Sequence, residues 1–143
     1  MTKLQEDSAC PHTADVWYAH RVSYGETDTM GVLYYAEYMH IFERARSELI
    51  RSRGMSYRQV EERGLYLPVR EAQCRYRAPA RYDDLTYVHA WISDWGRASV
   101  TFTYEFFAED KKTFLAAGMT QHACVGKDGR PVPVPGWLKE ALT

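Results

Sequence analysis

One stretch of the sequence constrains the fold more than any other, because residues 32–53 contain neither proline nor glycine. Within it, apolar residues recur at spacings of four, three and four, which places them on one face of a helix: Tyr38, Phe42, Ala45 and Leu49. Gly54 follows directly, and glycine is typical of helix ends. The pattern predicts one long amphipathic helix over residues 32–53.

The rest of the chain has the two-residue apolar period of β-strands. Strands are predicted over residues 17–23, 71–77, 85–93, 98–109 and 113–125. Short helices are predicted over residues 56–63 and 137–142. A helix that buries its apolar stripe against an antiparallel sheet is an α+β arrangement. Large aromatic residues occur on both faces of the strands, so we expect a partner subunit to cover part of the sheet.

Length and composition indicate a single domain of 143 residues, 45% of them hydrophobic. We expect a loose leader over residues 1–16 and the folded domain over residues 17–143. The net charge of −1 lacks the basic excess of a nucleic-acid binder. Apolar runs are too short for a membrane span. The three cysteines are far apart: Cys10, Cys74 and Cys124. They are interpreted as reduced thiols of a cytoplasmic protein, without a zinc site.

Arginine is concentrated in the middle of the chain. Residues 44–81 contain ten arginines and four acidic residues, an excess of six positive charges. The excess is explained either by solvated helix and strand surfaces or by a local field for an anionic ligand such as a nucleotide phosphate.

Asp28 is the first candidate for chemistry. It stands in a turn-rich segment, residues 24–31, between a predicted strand and the long helix. A carboxylate there can lie beside the helix N-terminus, whose free N–H groups could also polarise a substrate carbonyl. That combination suits attack on an ester or thioester. An aspartate that only caps a turn has the same spacing and is the commoner situation.

Two longer motifs give a family resemblance. Residues 24–35 (YGETDTMGVLYY) with residues 42–46 (FERAR), and residues 78–84 (APARYDD), closely resemble the signatures of hotdog-fold acyl-CoA thioesterases. The resemblance is to the 4-hydroxybenzoyl-CoA thioesterase and YbgC branch, over roughly residues 17–130. It implies a hotdog fold, in which an antiparallel sheet wraps a long helix. It also implies hydrolysis of a short-chain or aryl acyl-CoA to the free acid and CoA, without a metal or cofactor.

The resemblance assigns roles to four residues. Asp28 matches the catalytic aspartate, which attacks the thioester carbonyl or activates water. Tyr35 matches the position whose backbone N–H points at the thioester oxygen. Many YbgC-type proteins have histidine there, whereas the hydroxybenzoyl type has an aromatic residue. Arg97 and Ser99 resemble residues that contact CoA phosphates, although both could be ordinary surface residues.

Other interpretations stay open at this point. Glu43 is a rival carboxylate, because a second hotdog type uses a helix glutamate. Ion pairs of Glu43 with Arg46 and of Arg44 with Glu48 would explain these side chains without catalysis. A non-catalytic domain that binds acyl-CoA or acyl-carrier protein is the alternative function. A third function, a hotdog dehydratase, is less favoured, because that enzyme needs a catalytic histidine and residue 35 is tyrosine. The family places its sites between subunits, which implies a homodimer or homotetramer.

Overall fold

The computed structural model describes residues 14–143. Five strands and three helices follow one another: β1 (Asp15–Arg21), α1 (Glu37–Ser52), α2 (Tyr57–Glu62), β2 (Val69–Tyr76), β3 (Leu85–Trp95), β4 (Ser99–Phe107), β5 (Phe114–Ala123) and α3 (Gly136–Ala141). A 3₁₀ turn (Tyr24–Glu26) lies between β1 and α1. Residues 1–13, which include most of the predicted leader and Cys10, lie outside the described residues. β1 begins two residues before the predicted strand.

The strands form one sheet in the order β1-β3-β4-β5-β2, and every neighbouring pair is antiparallel. The predicted alternation is confirmed over the first part of β4, and four alternating side chains are buried along the strand: Val100, Phe102, Tyr104 and Phe106. Because side chains alternate across a strand, these residues line one face of the sheet. Toward the end of the strand, Glu105 and Phe107 on the other face are buried as well. The α+β prediction is confirmed, since α1 packs on β1 and β3.

Close packing joins α1 to the middle of the sheet. The Phe42 ring stacks on Tyr104 with a centroid distance of 4.5 Å and an interplanar angle of 7°. Gly118 on β5 makes room for this contact, because a Cβ there would lie 2.3 Å from Phe42 Cε2. The predicted apolar stripe of the helix is therefore buried as expected.

The predicted start of the long helix is wrong, because α1 begins at Glu37 rather than at residue 32. The Leu33 N–H donates to the Ala80 carbonyl at 2.8 Å, and Val32 bridges to Arg81. These contacts with a segment almost fifty residues away hold the chain in an extended conformation. The long helix is therefore shorter than predicted and contains sixteen residues.

The predicted ion pairs on α1 are also wrong. Glu48 pairs with Arg51, one turn further along the helix. Arg44 Nη1 lies 3.5 Å from His20 Nδ1, and Arg46 Nη1 donates to the Tyr104 hydroxyl at 3.5 Å. Two of the helix arginines therefore contact side chains of the sheet, His20 on β1 and Tyr104 on β4.

β2 is an edge strand, and within residues 14–143 it pairs only with β5. Nearly all of its side chains are exposed. None of the described helices combines the length and the apolar character needed to cross a membrane.

Candidate active site

Asp28 lies half-buried in a tight loop between the 3₁₀ turn and α1. Its carboxylate Oδ1 accepts hydrogen bonds from the backbone N–H groups of Met30 at 2.8 Å and Val32 at 3.4 Å. Gly31, with φ of 77°, adopts the left-handed conformation that turns the chain back toward Asp28. One carboxylate oxygen is thus held by the loop, while Oδ2 makes no hydrogen bond with any residue from 14 to 143.

Asp28 lines an open groove of about 790 Å³ beside the start of α1. Tyr24, Tyr34 and Tyr82 provide aromatic walls, and Glu37 adds a second carboxylate. A hydrogen bond with the Tyr35 phenol, and to a smaller extent the Asp28 charge, raise the pKa of the Tyr34 phenol. Asp28, the predicted catalytic aspartate, therefore lies in an open groove beside the Tyr34 phenol.

The turn before α1 leaves the Tyr35 N–H available. The Tyr34 N–H donates to the Glu26 carbonyl at 2.9 Å, and the Tyr34 carbonyl accepts from the Glu37 N–H at 2.9 Å. The Tyr35 carbonyl accepts from the Tyr76 hydroxyl at 2.8 Å. The Tyr35 N–H itself has no acceptor within the described part of the chain. Since exposed N–H groups at a helix start favour negative charge, this amide can stabilise an oxyanion.

Glu26 anchors the loop that carries Asp28. Its side chain is almost fully buried, and Oε1 accepts from the Ser23 N–H at 2.7 Å, the Ser23 hydroxyl at 2.9 Å and His20 Nε2 at 2.9 Å. Burial raises the pKa of this carboxyl, but the hydrogen bonds from Ser23 and His20 outweigh burial and lower it overall. An ionised Glu26 therefore fixes the loop to the end of β1.

The rival carboxylate, Glu43, lies in a different cavity. It lines a pocket of about 100 Å³ with Arg46, Tyr57 and His122, and this pocket shares no lining residue with the Asp28 groove. Glu43 is exposed, whereas His122 is buried between α1 and the sheet. Within one chain, Glu43 therefore cannot assist Asp28 in the groove.

Arg97 and Ser99 lie at the opposite end of the sheet from Asp28. The end of β1 that leads to Asp28 pairs with Leu85, at the first residue of β3. Arg97 comes two residues after Trp95, the last residue of β3, and ten steps of about 3.3 Å separate the two ends of this strand by roughly 30 Å. One chain therefore does not bring Arg97 and Ser99 to its own Asp28. Arg97 is exposed, and its backbone carbonyl accepts from the Val134 N–H at 2.8 Å.

Three exposed arginines of the arginine-rich segment have partners close by in the fold. Arg51 pairs with Glu48 and Arg58 lies 3.6 Å from Glu62, while Arg63 stacks over the Trp137 ring at 4.6 Å. These exposed pairs fit the interpretation as solvated surface. Within residues 14–143, no group of three or more His, Cys, Asp or Glu side chains is placed to hold a metal ion.

Comparison with known proteins identifies the family. A family model described as the thioesterase-like superfamily matches residues 22–142. The chain belongs to this superfamily. The acyl-CoA thioesterase YbgC of Haemophilus influenzae is 34% identical over 125 residues, which cover 85% of this chain and 90% of that protein. The predicted resemblance and enzyme class, a thioesterase, are confirmed.

Solved structures support the same assignment. A hypothetical protein from Aquifex aeolicus is 34% identical, with a TM-score of 0.84 over 90% of this chain and 99% of that one. A DHNA-CoA thioesterase from Staphylococcus aureus is 30% identical, with a TM-score of 0.81 over 89% and 87%. The hotdog fold predicted for this thioesterase is thereby confirmed.

Sequence reasoning missed two residues of the candidate site. Glu26 stands within the first motif but shows its role only through burial and its three donors. Tyr76 reaches the Tyr35 carbonyl across 41 positions of sequence, which no local pattern reveals. The one sequence signal for Tyr76 is its position two residues before the second motif.

Proposed function

We propose that this thioesterase hydrolyses an acyl-CoA with Asp28 as its catalytic carboxylate. The proposal is supported most strongly by Asp28, which lines the groove, and by the Tyr35 N–H just before α1: within residues 14–143, neither Asp28 Oδ2 nor this N–H has a hydrogen-bond partner. The Tyr35 N–H stabilises the negative charge that develops on the thioester oxygen. The relatives named above agree with an acyl-CoA substrate.

Asp28 acts on the thioester carbonyl by one of two routes, as a nucleophile or as a general base. As a nucleophile, its oxygen bonds to the carbonyl carbon, the C–S bond breaks, CoA leaves as a thiolate, and water then cleaves the mixed anhydride. As a general base, Asp28 takes a proton from the attacking water, and the proton then passes to the departing thiolate. Both routes give the free acid and CoA, and both need the same oxyanion site.

The acyl group in this proposal is aryl or short-chain. The groove walls are aromatic: Tyr24, Tyr34 and Tyr82. Offset and edge-on contacts between rings add to the free energy of burying an aromatic acyl group. The aromatic substrate named for the S. aureus structure, DHNA-CoA, supports the aryl choice.

A homodimer or homotetramer completes the proposed site. The exposed edge strand β2 and the distance of Arg97 from Asp28 support this. In the oligomer, Arg97 and Ser99 of one protomer contact the CoA phosphates of a substrate bound at the Asp28 of another. Light scattering should give at least twice the 16.6 kDa of one chain. A monomeric mass at micromolar concentration contradicts this part of the proposal.

The free thiols of Cys74 and Cys124 support a cytoplasmic location.

The experiment is an acyl-CoA screen that detects the released CoA thiol, with the wild-type protein and Asp28→Asn. The proposal expects turnover of aryl or short-chain acyl-CoA by the wild type and its loss in the variant. Binding of acyl-CoA without thiol release would instead show a non-catalytic domain, and release that survives Asp28→Asn would remove Asp28 from the mechanism.

A further inference from the structure

Tyr76 lies outside the groove that contains Asp28 but contacts the turn that carries the Tyr35 N–H. It is the last residue of β2, half-exposed, and its hydroxyl donates to the Tyr35 carbonyl at 2.8 Å. Its ring meets Tyr38 edge-on at 4.8 Å and Tyr35 edge-on at 6.4 Å. Burial, and then the neighbouring Cys74, raise the pKa of the Tyr76 phenol, so the hydroxyl stays a donor at neutral pH.

The hydrogen bond from Tyr76 restrains the backbone just before α1. The Tyr35 carbonyl lies before the first helical residue, and its one partner in the described chain is the Tyr76 hydroxyl. The Glu26 carbonyl holds the N–H of the Leu33–Tyr34 peptide, and the Glu37 N–H holds the carbonyl of the Tyr34–Tyr35 peptide, which carries the Tyr35 N–H. Tyr76 holds the next peptide, Tyr35–Ala36, so the peptides on both sides of the Tyr35 Cα are restrained. By hydrogen-bonding the carbonyl, it also polarises the Ala36 N–H of the same peptide.

We propose that Tyr76 is a positioning residue for thioester hydrolysis: it holds the Tyr35–Ala36 peptide, fixes the backbone dihedral angles of residue 35, and so keeps the neighbouring Tyr35 N–H facing the reacting oxygen. The inference rests on the proposed function, because it assumes that this amide is the oxyanion donor. Tyr76 acts through the turn and makes no contact with the substrate. Its loss therefore changes transition-state stabilisation and leaves substrate binding unchanged.

Tyr76→Phe tests this role, because it removes the hydroxyl and keeps the ring on Tyr38. We expect kcat to fall about tenfold, in line with the loss of one hydrogen bond, with KM within about twofold and a thermal midpoint lowered by no more than a few degrees. Tyr87→Phe is the matched control. Tyr87 lies on β3, where the Lys111 ammonium group sits over its ring, and it does not line the groove. In protein labelled with ¹⁵N-alanine, the Ala36 amide resonance should shift in Tyr76→Phe and stay in place in Tyr87→Phe.

The possible results separate this inference from the proposed function. A kcat within twofold of wild type, an unmoved Ala36 resonance, or a raised KM with normal kcat each overturns the role of Tyr76. If Asp28→Asn is inactive while Tyr76→Phe turns over normally, only the Tyr76 inference fails. If Asp28→Asn turns over normally, the proposed function fails, and the role of Tyr76 fails with it.

Discussion

His122 Nε2 accepts a hydrogen bond from the Thr120 hydroxyl at 2.8 Å, in the buried layer between α1 and the sheet. The direction follows from the other ring nitrogen, because Nδ1 lies 2.8 Å from the Leu67 carbonyl and must donate to it. The Thr120 oxygen in turn accepts from Tyr104 at 2.6 Å, and Tyr104 accepts from Arg46. The network is satisfied only while His122 is neutral.

Acid should therefore destabilise the protein through His122. Burial lowers the pKa of His122 from 6.5 to about 4; the hydrogen bond to the Leu67 carbonyl opposes this shift, and the charge of Arg46 adds to it. Between these values the unfolded chain binds the proton and the folded chain does not, so stability falls as pH falls from about 6.5 to 4, by about 3 kcal/mol. Urea unfolding across this range should show the loss, and His122→Asn should flatten it. An equal slope in both proteins contradicts the assignment to His122.

Substitution of Asp28 tests the catalytic carboxylate quantitatively. Asp28→Asn should lower kcat by about 100- to 10,000-fold with the fold intact, because the amide cannot act as nucleophile or base. Asp94→Asn, an exposed site at the far end of β3, is the matched control and should keep wild-type turnover. Glu43→Gln should also stay within a few-fold of wild type. A large loss in Glu43→Gln with an active Asp28→Asn would transfer the catalytic role to Glu43.

Much of the fold was predictable because its elements follow from local periodicity. The stripe on α1 and the alternation on β3 identify buried residues correctly: Tyr38, Phe42, Ala45, Leu49, Val88, Ala90 and Ile92. The start of α1 was not predictable, because Val32 and Leu33 are held extended by residues 80 and 81. A local pattern cannot show contacts with so distant a segment.

The candidate site shows the same division. Asp28 and its loop could be predicted from turn-forming residues and from the motif around them. Arg97 lies at the far end of the sheet from Asp28 because of the length and pairing of β3. Tyr76 contacts Tyr35 because β2 ends beside the turn before α1. Both are consequences of sheet assembly, so they become visible only once the strands are paired.

The contact of Gly118 with Phe42 predicts a strong packing effect. Gly118→Ala should lower the free energy of unfolding by about 1–3 kcal/mol, because its Cβ would overlap a fully buried ring. Gly136→Ala is the control, since a Cβ there meets nothing within 4 Å. Combining Gly118→Ala with Phe42→Leu should cost less than the sum of both changes, because leucine lacks the overlapping ring atoms. Additive losses would show that the ring is not the obstacle.

The anchoring of Glu26 predicts an effect on both stability and turnover. Glu26→Gln keeps the size of the side chain but weakens its hydrogen bonds from Ser23 and His20, so unfolding should become easier by about 1–2 kcal/mol. Because the same residue's carbonyl holds the Tyr34 N–H, kcat should also fall, by about tenfold. Glu62→Gln on the exposed face of α2 should change neither.

The pH dependence of this variant distinguishes anchoring by a charge from simple packing. The pKa of Glu26 is lowered in the folded protein, so its ionised form stabilises the fold above the unfolded value of about 4.5. That contribution is lost as pH falls through the lowered pKa. The difference in unfolding free energy between wild type and Glu26→Gln should therefore shrink below pH 4.5, as measured by urea unfolding. A difference that stays constant into acid would mean that the carboxylate charge contributes nothing.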